Sequence, residues 1–355
     1  MNIKKYYRRA YVRLVSYRLP ILRARLDRLL RREAVPTEIA GQLHHPGNVH
    51  AVFLIWQPRQ TPWYVTNALE ALAQAGINVT LVVNHPLSEA RLAELTPWVD
   101  RLMLRDNAGF DMGGYRDAIL SFAGRPPERL LILNDSVYYL RTGLVEMFQR
   151  LATSPSDICA TYENWDHHHH IQSFCYSISR HVLEQPAYQR FWQRYLPVNV
   201  RRWAINKGEV RSSRCMIRQA RSVEVLFTPA RLREALNGLD PAALRDLAPY
   251  LPIDQRPALR GARLRQEPLV AQLLDAVMAR SQIHTGGFLY RRFLGAPLMK
   301  RDLVYRSQYH LHELETLLQA IGEQHHAPDI LTEMRAKGIG GQLRGRARIR
   351  FDLDL

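Results

Sequence analysis

At 355 residues and 46% hydrophobic content, the chain is long enough to bury one large core or two modest ones, which excludes disorder as its dominant state. Forty-nine Lys and Arg against 33 Asp and Glu leave a formal charge of +16, so the expected partner is anionic: a phosphate-bearing substrate, a lipid surface or a nucleic acid. Eleven of the basic residues lie in Met1 to Ala34, opposed only by Asp27 and Glu33, and charge gathered at one end rather than along the folded body argues against a nucleic-acid partner.

Three cysteines, Cys159, Cys175 and Cys215, are odd in number and lack metal-type spacing, as expected of a reducing compartment. No run of about 18 apolar residues is present to span a bilayer, and the N-terminus lacks the apolar stretch of a secretory signal. A cytoplasmic protein, peripheral at the inner face of the plasma membrane, is the expectation.

The first segment, Lys4 to Arg32, is predicted as two helical pieces divided by Pro20. Leu19, Leu22, Leu26, Leu29 and Leu30 fall at helical spacing among basic residues, a pattern that suits an anionic membrane interface. From Asn48 strands and helices alternate. Ala51 to Trp56 has strand length. Thr61 and Pro62 supply an N-cap and a first-turn proline, Val65, Leu69 and Leu72 mark one helical face, and Gly76 sits where that helix should stop. Val79 to Val83 is a second strand, Ser88 to Leu95 a helix, Arg101 to Leu104 a third strand, Gly114 to Phe122 a helix and Arg129 to Leu133 a fourth strand. This alternation implies an α/β fold with a mainly parallel sheet covered on both faces.

Ligands of such sheets bind beyond the carboxyl ends of the strands. Here the second strand runs into Asn84, the third into Asp106, Asn107, Gly109 and Asp111, and the fourth into Asn134, Asp135 and Ser136. Three consecutive strand ends thus place short polar groups on one edge. Further on, a strand is expected near Asp157 to Tyr162, and Arg231 to about Arg280 reads as helix broken at Pro241, Pro252, Pro257 and Pro268. The division expected is a basic amphipathic segment (1–44), a catalytic domain (45–228), a helical C-terminal region closing the site (229–340) and a basic tail (341–355).

In Arg105-Asp-Asn-Ala-Gly-Phe-Asp-Met-Gly-Gly-Tyr115 a glycine turn leads to a helix, bringing backbone amides toward a diphosphate. The following strand, Leu131-Ile-Leu-Asn-Asp-Ser136, offers a carboxylate to a divalent cation on that diphosphate. The Asn-x-Gly-x-Asp turn, Tyr115 four residues after Asp111, and the strand ending Asn-Asp-Ser resemble the central motif of the rhamnan synthesis protein F family. His170-Ile-Gln-Ser-Phe174 is similar to that family's His-x-Gln-Ser-(aromatic) segment. Gly295-Ala-Pro-Leu-Met-Lys-Arg301 resembles its Gly-x-Pro-(aromatic)-x-Lys segment, with Leu298 in the aromatic position.

The resemblance implies a GT-A-like nucleotide-diphosphosugar transferase fold and a glycosyltransferase of surface polysaccharide or lipopolysaccharide biosynthesis, moving rhamnose or a related deoxysugar from a nucleotide donor. With Asn84 from the end of the second strand, it implies donor contacts from Asp106, Asn107, Gly109, Asp111, Tyr115, Asn134, Asp135, Ser136, Gln172, Ser173 and Lys300. Arg105, Arg116 and Lys300 are candidates to neutralise the leaving group. The wider GT-A group carries Asp-x-Asp at the fourth strand. Here Asn134 and Ser136 flank a single Asp135, which would hold a Mg²⁺ or Mn²⁺ ion together with water and phosphate oxygens, and Asp111 is a further candidate oxygen ligand or ribose contact. Inversion at the sugar needs a general base, for which Glu163, Asp166, His170 and Glu209 are candidates. Glu209 is favoured, because Lys207-Gly-Glu-Val looks like the Gly-Glu-Asp helix start of inverting members. The eroded Asp-x-Asp motivates an alternative, a non-catalytic scaffold of a membrane-associated polysaccharide assembly.

Overall fold

The computed structural model describes residues 14–30, 33–165, 169–257 and 265–340. The chain divides into two compact units, one from Met1–Asp135, Phe148–Ala160 and His170–Glu224, the other from Ser136–Met147, Thr161–His169 and Val225–Leu355. The second therefore takes two segments from within the span 45–228.

The first unit opens with helix α1 (Leu19–Leu29), preceded by one π-helical turn, Leu14–Arg18. Pro20 lies in the first turn of α1, where its missing N–H costs nothing. An eight-stranded sheet follows: β1 (Thr37–Ala40), β2 (Val49–Ile55), β3 (Asn78–Val83), β4 (Arg101–Leu104), β5 (Arg129–Asn134), β6 (Ile158–Ala160), β7 (Cys175–Ser179) and β8 (Val223–Val225). Its spatial order is β1-β4-β3-β2-β5-β7-β6-β8. β4, β3, β2 and β5 are mutually parallel. β1 is antiparallel to β4, and β7 is antiparallel to both β5 and β6. The expected α/β fold is present, and its mainly parallel sheet is mixed, with antiparallel strands beyond β4 and β5.

Residues of β3 and β5 are buried at every position, and Ala51 to Ile55 of β2 likewise. Continuous burial of Val, Leu and Ile is the mark of a parallel sheet covered on both faces. Helix α2 (Trp63–Gln74) buries Val65, Leu69 and Leu72, as their spacing predicts, and Gly76 follows it at φ 71°. Its N-cap is Pro62 in extended backbone, not Thr61. Ser88 caps α3 (Glu89–Leu95) by accepting from Arg91 N. Helix α4 begins at Phe110 and ends at Ser121, four residues earlier at its start than the pattern around Gly114 suggests. The reason is Gly109, whose left-handed φ of 75° turns the chain straight from β4 into the helix.

The second unit is mainly helical. Val137–Tyr139 pairs antiparallel with Leu298–Lys300, setting Lys300 opposite Val137. The prolines of the Ala- and Leu-rich stretch start helices: Pro229 and Pro241 open Pro229–Leu236 and Pro241–Arg245, and Pro268 sits in the first turn of Gln266–Met278. Tyr162 packs edge-on against Tyr290, and Phe288 against Tyr309, in its core.

Candidate functional site

The carboxyl ends of β2, β3 and β5, with the turn between β4 and α4, share one edge of the sheet, and hydrogen bonds tie them together. β2 stops at Ile55, so Trp56 stands outside the strand and is 52% exposed. Its backbone N–H donates to Asp135 Oδ2 at 2.8 Å, and Gln57 Nε2 donates to the same oxygen at 2.7 Å. Asn134 Nδ2 donates to Asp111 Oδ2 at 3.0 Å. Asp111 is in the first turn of α4, where the helix dipole favours a negative charge. Two carboxylates and one amide therefore meet where β5 ends.

The neighbouring corner is a closed frame. Asn84 Nδ2 donates to Asn107 Oδ1 at 3.1 Å and to the Phe110 carbonyl at 3.4 Å, while its Oδ1 accepts from Arg105 Nη1 at 2.9 Å. Arg105 also donates to Asp117 Oδ2 at 2.9 Å and to the Ala108 carbonyl at 2.8 Å. Arg116 pairs with Asp117 at 3.0 Å and with Glu33 at 3.4 Å. Arg105, expected near the leaving group, thus braces the turn, and Arg116, expected there too, joins Asp117 to Glu33. The amide of Gly109, expected to approach a diphosphate, donates instead to Asn199 Oδ1 at 2.6 Å. A side chain at Gly109 would also meet Pro197 Cβ at 2.6 Å. Phe110, at φ 55°, sits in a backbone region that non-glycine residues rarely enter, a cost of about 1–3 kcal/mol that the frame sustains.

Helix α4 lies close on the sheet because Gly114 has no side chain: a Cβ there would stand 2.1 Å from Leu54 Cδ1. One residue on, the fully buried Tyr115 reaches with its hydroxyl to the Ser173 carbonyl at 3.0 Å. Asn134 N donates to the Phe174 carbonyl, so the Gln172–Phe174 segment is held to the end of β5. Ser173 then donates to Glu209 Oε1, from Oγ at 3.0 Å and from its backbone N at 3.3 Å.

Glu209 is not at a helix start. Arg201–Trp203, the π-helical Ala204–Glu209 and helix α5 (Val210–Gln219) follow one another without a break, and Glu209 closes the π-helical part. Gly208 explains the local packing, since a Cβ there would lie 2.4 Å from Met112 Cγ of α4. π-Helical turns often mark functional sites because they widen the helix and redirect a side chain. The Gly-Glu pair therefore sets Glu209 beside Ser173 by close helix contact rather than by helix capping.

His170 and Gln172 are buried next to this group, and Ile171 N donates to Ser213 Oγ of α5 at 2.7 Å. Asp106 is exposed, beside Asn107 in the turn. Ser136 and Lys300 belong to the second unit, where Lys300 Nζ donates to Ser136 Oγ at 3.3 Å. Glu163, also there, lies 2.8 Å from His169 Nε2. Asp166, with His167 and His168, and the tail lie outside the described residues. Among the described residues no group of three or more His, Cys, Asp or Glu is placed to hold a metal. Asp135 Oδ2 already accepts two hydrogen bonds. The described side chains at this edge do not build a cation cage of their own.

Two groups at this edge belong to no sequence motif. Trp56 reads as the last residue of an apolar run, and only the end of β2 at Ile55 reveals it as an exposed aromatic beside Asp135. His85 directly follows Asn84. Its Nδ1 donates to the Pro86 carbonyl at 2.8 Å, which leaves Nε2 buried without a hydrogen-bond partner. Burial lowers the His85 pKa, against the bond to Pro86 and with Arg91 acting in the same direction as burial; with Nδ1 donating to a carbonyl, Nε2 of the neutral ring is an acceptor. Their position just past a strand was the available signal.

The chain is similar to known proteins at several levels. A curated relative, the Uncharacterized protein y4gN of Sinorhizobium fredii (strain NBRC 101917 / NGR234), is 27% identical over 206 residues, covering 56% of this chain and 54% of that protein. The chain thus spans about half the length of the curated relative it matches. Three solved structures show remote structural similarity. A putative nucleotide-diphospho-sugar transferase from Desulfovibrio desulfuricans G20 superposes with TM-score 0.34 at 12% identity, over 51% of this chain and 80% of that one. Mannosyltransferase PcManGT from Pyrobaculum calidifontis, solved with GDP-Man and Mn²⁺, gives 0.32 at 12% identity, over 97% of this chain and 98% of that one. S. aureus TarS 1–349 gives 0.32 at 11% identity, over 81% and 90% respectively. The family model described as rhamnan synthesis protein F matches residues 79–267, more than half of the chain, running from β3 through α5. The chain belongs to the rhamnan synthesis protein F family.

Proposed function

We propose that the chain is an inverting glycosyltransferase that moves rhamnose or a related deoxysugar from a nucleotide-diphosphate donor to a growing surface polysaccharide or a lipid-linked acceptor. The observation that supports this reading is the meeting of Asp135, Asp111 and Asn134 with Trp56 and Gln57 at the carboxyl edge of a parallel sheet, where α/β folds bind ligands. Trp56 stacks on the nucleobase. His85 Nε2 and Gln57 orient the nucleotide. Asn134 and the first turn of α4 face the diphosphate, and His170 and Gln172 line the sugar.

Glu209 is the general base. Ser173 fixes its Oε1, and Oε2 takes the proton of the acceptor hydroxyl as that oxygen attacks the anomeric carbon. The bond from the anomeric carbon to the diphosphate oxygen breaks, its electron pair leaves with the nucleoside diphosphate, and the new glycosidic bond forms on the opposite face.

A thermal-shift panel of nucleoside diphosphates and nucleotide deoxysugars, with and without Mn²⁺ or Mg²⁺, tests the donor site. A bound donor at 100 times its dissociation constant stabilises by about 2.7 kcal/mol, and Asp135→Ala should abolish that gain. A panel without any shift would remove the proposal. One observation favours a second reading, a scaffold that binds without turnover: Asp135 stands alone where Asp-x-Asp is usual, and its Oδ2 is engaged by Trp56 and Gln57. Donor binding with no transfer to any acceptor would select it.

A further inference from the structure

The two sides of helix α1 face different surroundings. Ile21 is buried with Leu196, Val198 and Val200, and Tyr17, Ala24 and Trp203 pack around that cluster. Arg28 secures the end of the same side, donating to the Tyr195 carbonyl at 2.6 Å and the Arg194 carbonyl at 3.2 Å, and pairing with Glu33 at 2.8 Å. Ile21, Ala24 and Arg28 recur at three and four residues, so they form one stripe. Leu19, Leu22, Leu26 and Leu29 recur in the same way half a turn away, and they are 47%, 51%, 55% and 77% exposed. A helix held by a narrow inner stripe has no folding reason to carry four leucines on its outer one.

Charge identifies what covers them. Arg23 and Arg25 are exposed among these leucines, and Arg18 precedes them. Asp27 is the single acid of α1, and it lies 3.9 Å from Arg23 on the exposed surface. Leucines flanked by arginines match a surface whose outer layer is anionic and whose interior is apolar. A second copy of the chain would set these arginines against one another. We infer that α1 is a docking helix for an anionic lipid surface, lying in the interface with Leu19, Leu22, Leu26 and Leu29 inserted and its arginines among the headgroups.

The support beneath α1 links it to the candidate site. The segment Leu196–Val200 packs on Ile21, while its Pro197 and Asn199 hold the Gly109 turn. A lipid surface bound by α1 is thereby fixed relative to the edge that would receive a lipid-linked acceptor. The docking inference itself does not depend on transferase activity.

The test is co-sedimentation of the full chain with vesicles of phosphatidylcholine, alone or mixed with phosphatidylglycerol. The chain should partition to the mixed vesicles and release as salt rises. Leu22→Ser with Leu26→Ser should weaken partitioning about tenfold or more while leaving Lys4, Lys5, Arg8, Arg9 and Arg13 in place. Arg23→Glu with Arg25→Glu should weaken it as well. Both double variants alter exposed side chains, so an unchanged thermal midpoint shows that each is folded. Equal partitioning of the wild type and the folded leucine variant would overturn the inference. So would a dimer, seen by sedimentation velocity without vesicle binding, that the leucine substitutions break.

Discussion

Two neighbouring corners of the same sheet edge use the same residue types to different ends. Where β3 and β4 finish, Asn84, Arg105, Asn107 and Asp117 turn inward and bond to one another. Where β5 finishes, Asp111, Asn134 and Asp135 gather beside an exposed Trp56, and Ser173 presents Glu209. A polar residue after a strand is thus not enough to mark chemistry. The closed corner fixes the turn that carries α4, and α4 carries Asp111 and Tyr115 into the second corner.

Substitutions that separate framework from chemistry sharpen this contrast. The largest effect is expected at Glu209: Glu209→Gln keeps size and hydrogen-bonding capacity but removes the proposed base, and should lower kcat roughly 10²-fold to 10⁴-fold with donor binding unchanged. In the closed corner, Arg105→Met should act on folding, because the partly buried Asp117 is left with Arg116 alone and Asn84 Oδ1 and the Ala108 carbonyl lose their donor. A loss of about 1–3 kcal/mol in urea unfolding is expected, and an equal loss from Glu209→Gln would erase the distinction.

The second unit holds a framework pair with a pH signature. His284 Nε2 lies 3.0 Å from Asp302 Oδ1, and burial pushes the His284 pKa down to about 4. Burial opposes ionisation of Asp302 too, yet its bond to His284, with Lys300 and Arg306 nearby, holds that carboxyl well below the usual range. Between 6.5, the ordinary histidine value, and about 4 the unfolded chain binds the extra proton and the folded chain does not. The contribution of His284 is therefore complete above that window and declines as pH falls through it, by roughly 2 kcal/mol from pH 7 to pH 5. His284→Gln should flatten that slope in chemical unfolding. The smallest effect belongs to the proposed nucleobase contact: Trp56→Ala should raise the donor KM about tenfold through lost stacking, with kcat nearly unchanged.

The strands β2 to β5 were legible in the sequence because apolar runs of strand length alternate with helical spacing, and the bounds agree within a residue or two. The polar strand ends were legible for the same reason. What was hidden was tertiary. Arg105 beside Asp106 and Asn107 looks like a cation awaiting phosphate, and only the fold supplies Asp117 and Asn84 to occupy it. The antiparallel β7 is set by pairing with β5, which no local pattern encodes. Glu209 looked like a helix start because glycine precedes it. In the structure that glycine is a contact with Met112, dictated by a helix distant in sequence.

The most direct measurement is transfer from a panel of nucleotide deoxysugars to a lipid-linked saccharide acceptor, following nucleoside diphosphate release with the wild type, Asp135→Ala and Glu209→Gln. A donor gripped at the end of β5 and an acceptor deprotonated by Glu209 require release by the wild type, loss of donor binding in the first variant, and retained binding without release in the second. Undiminished release by both variants would show that the chemistry lies elsewhere.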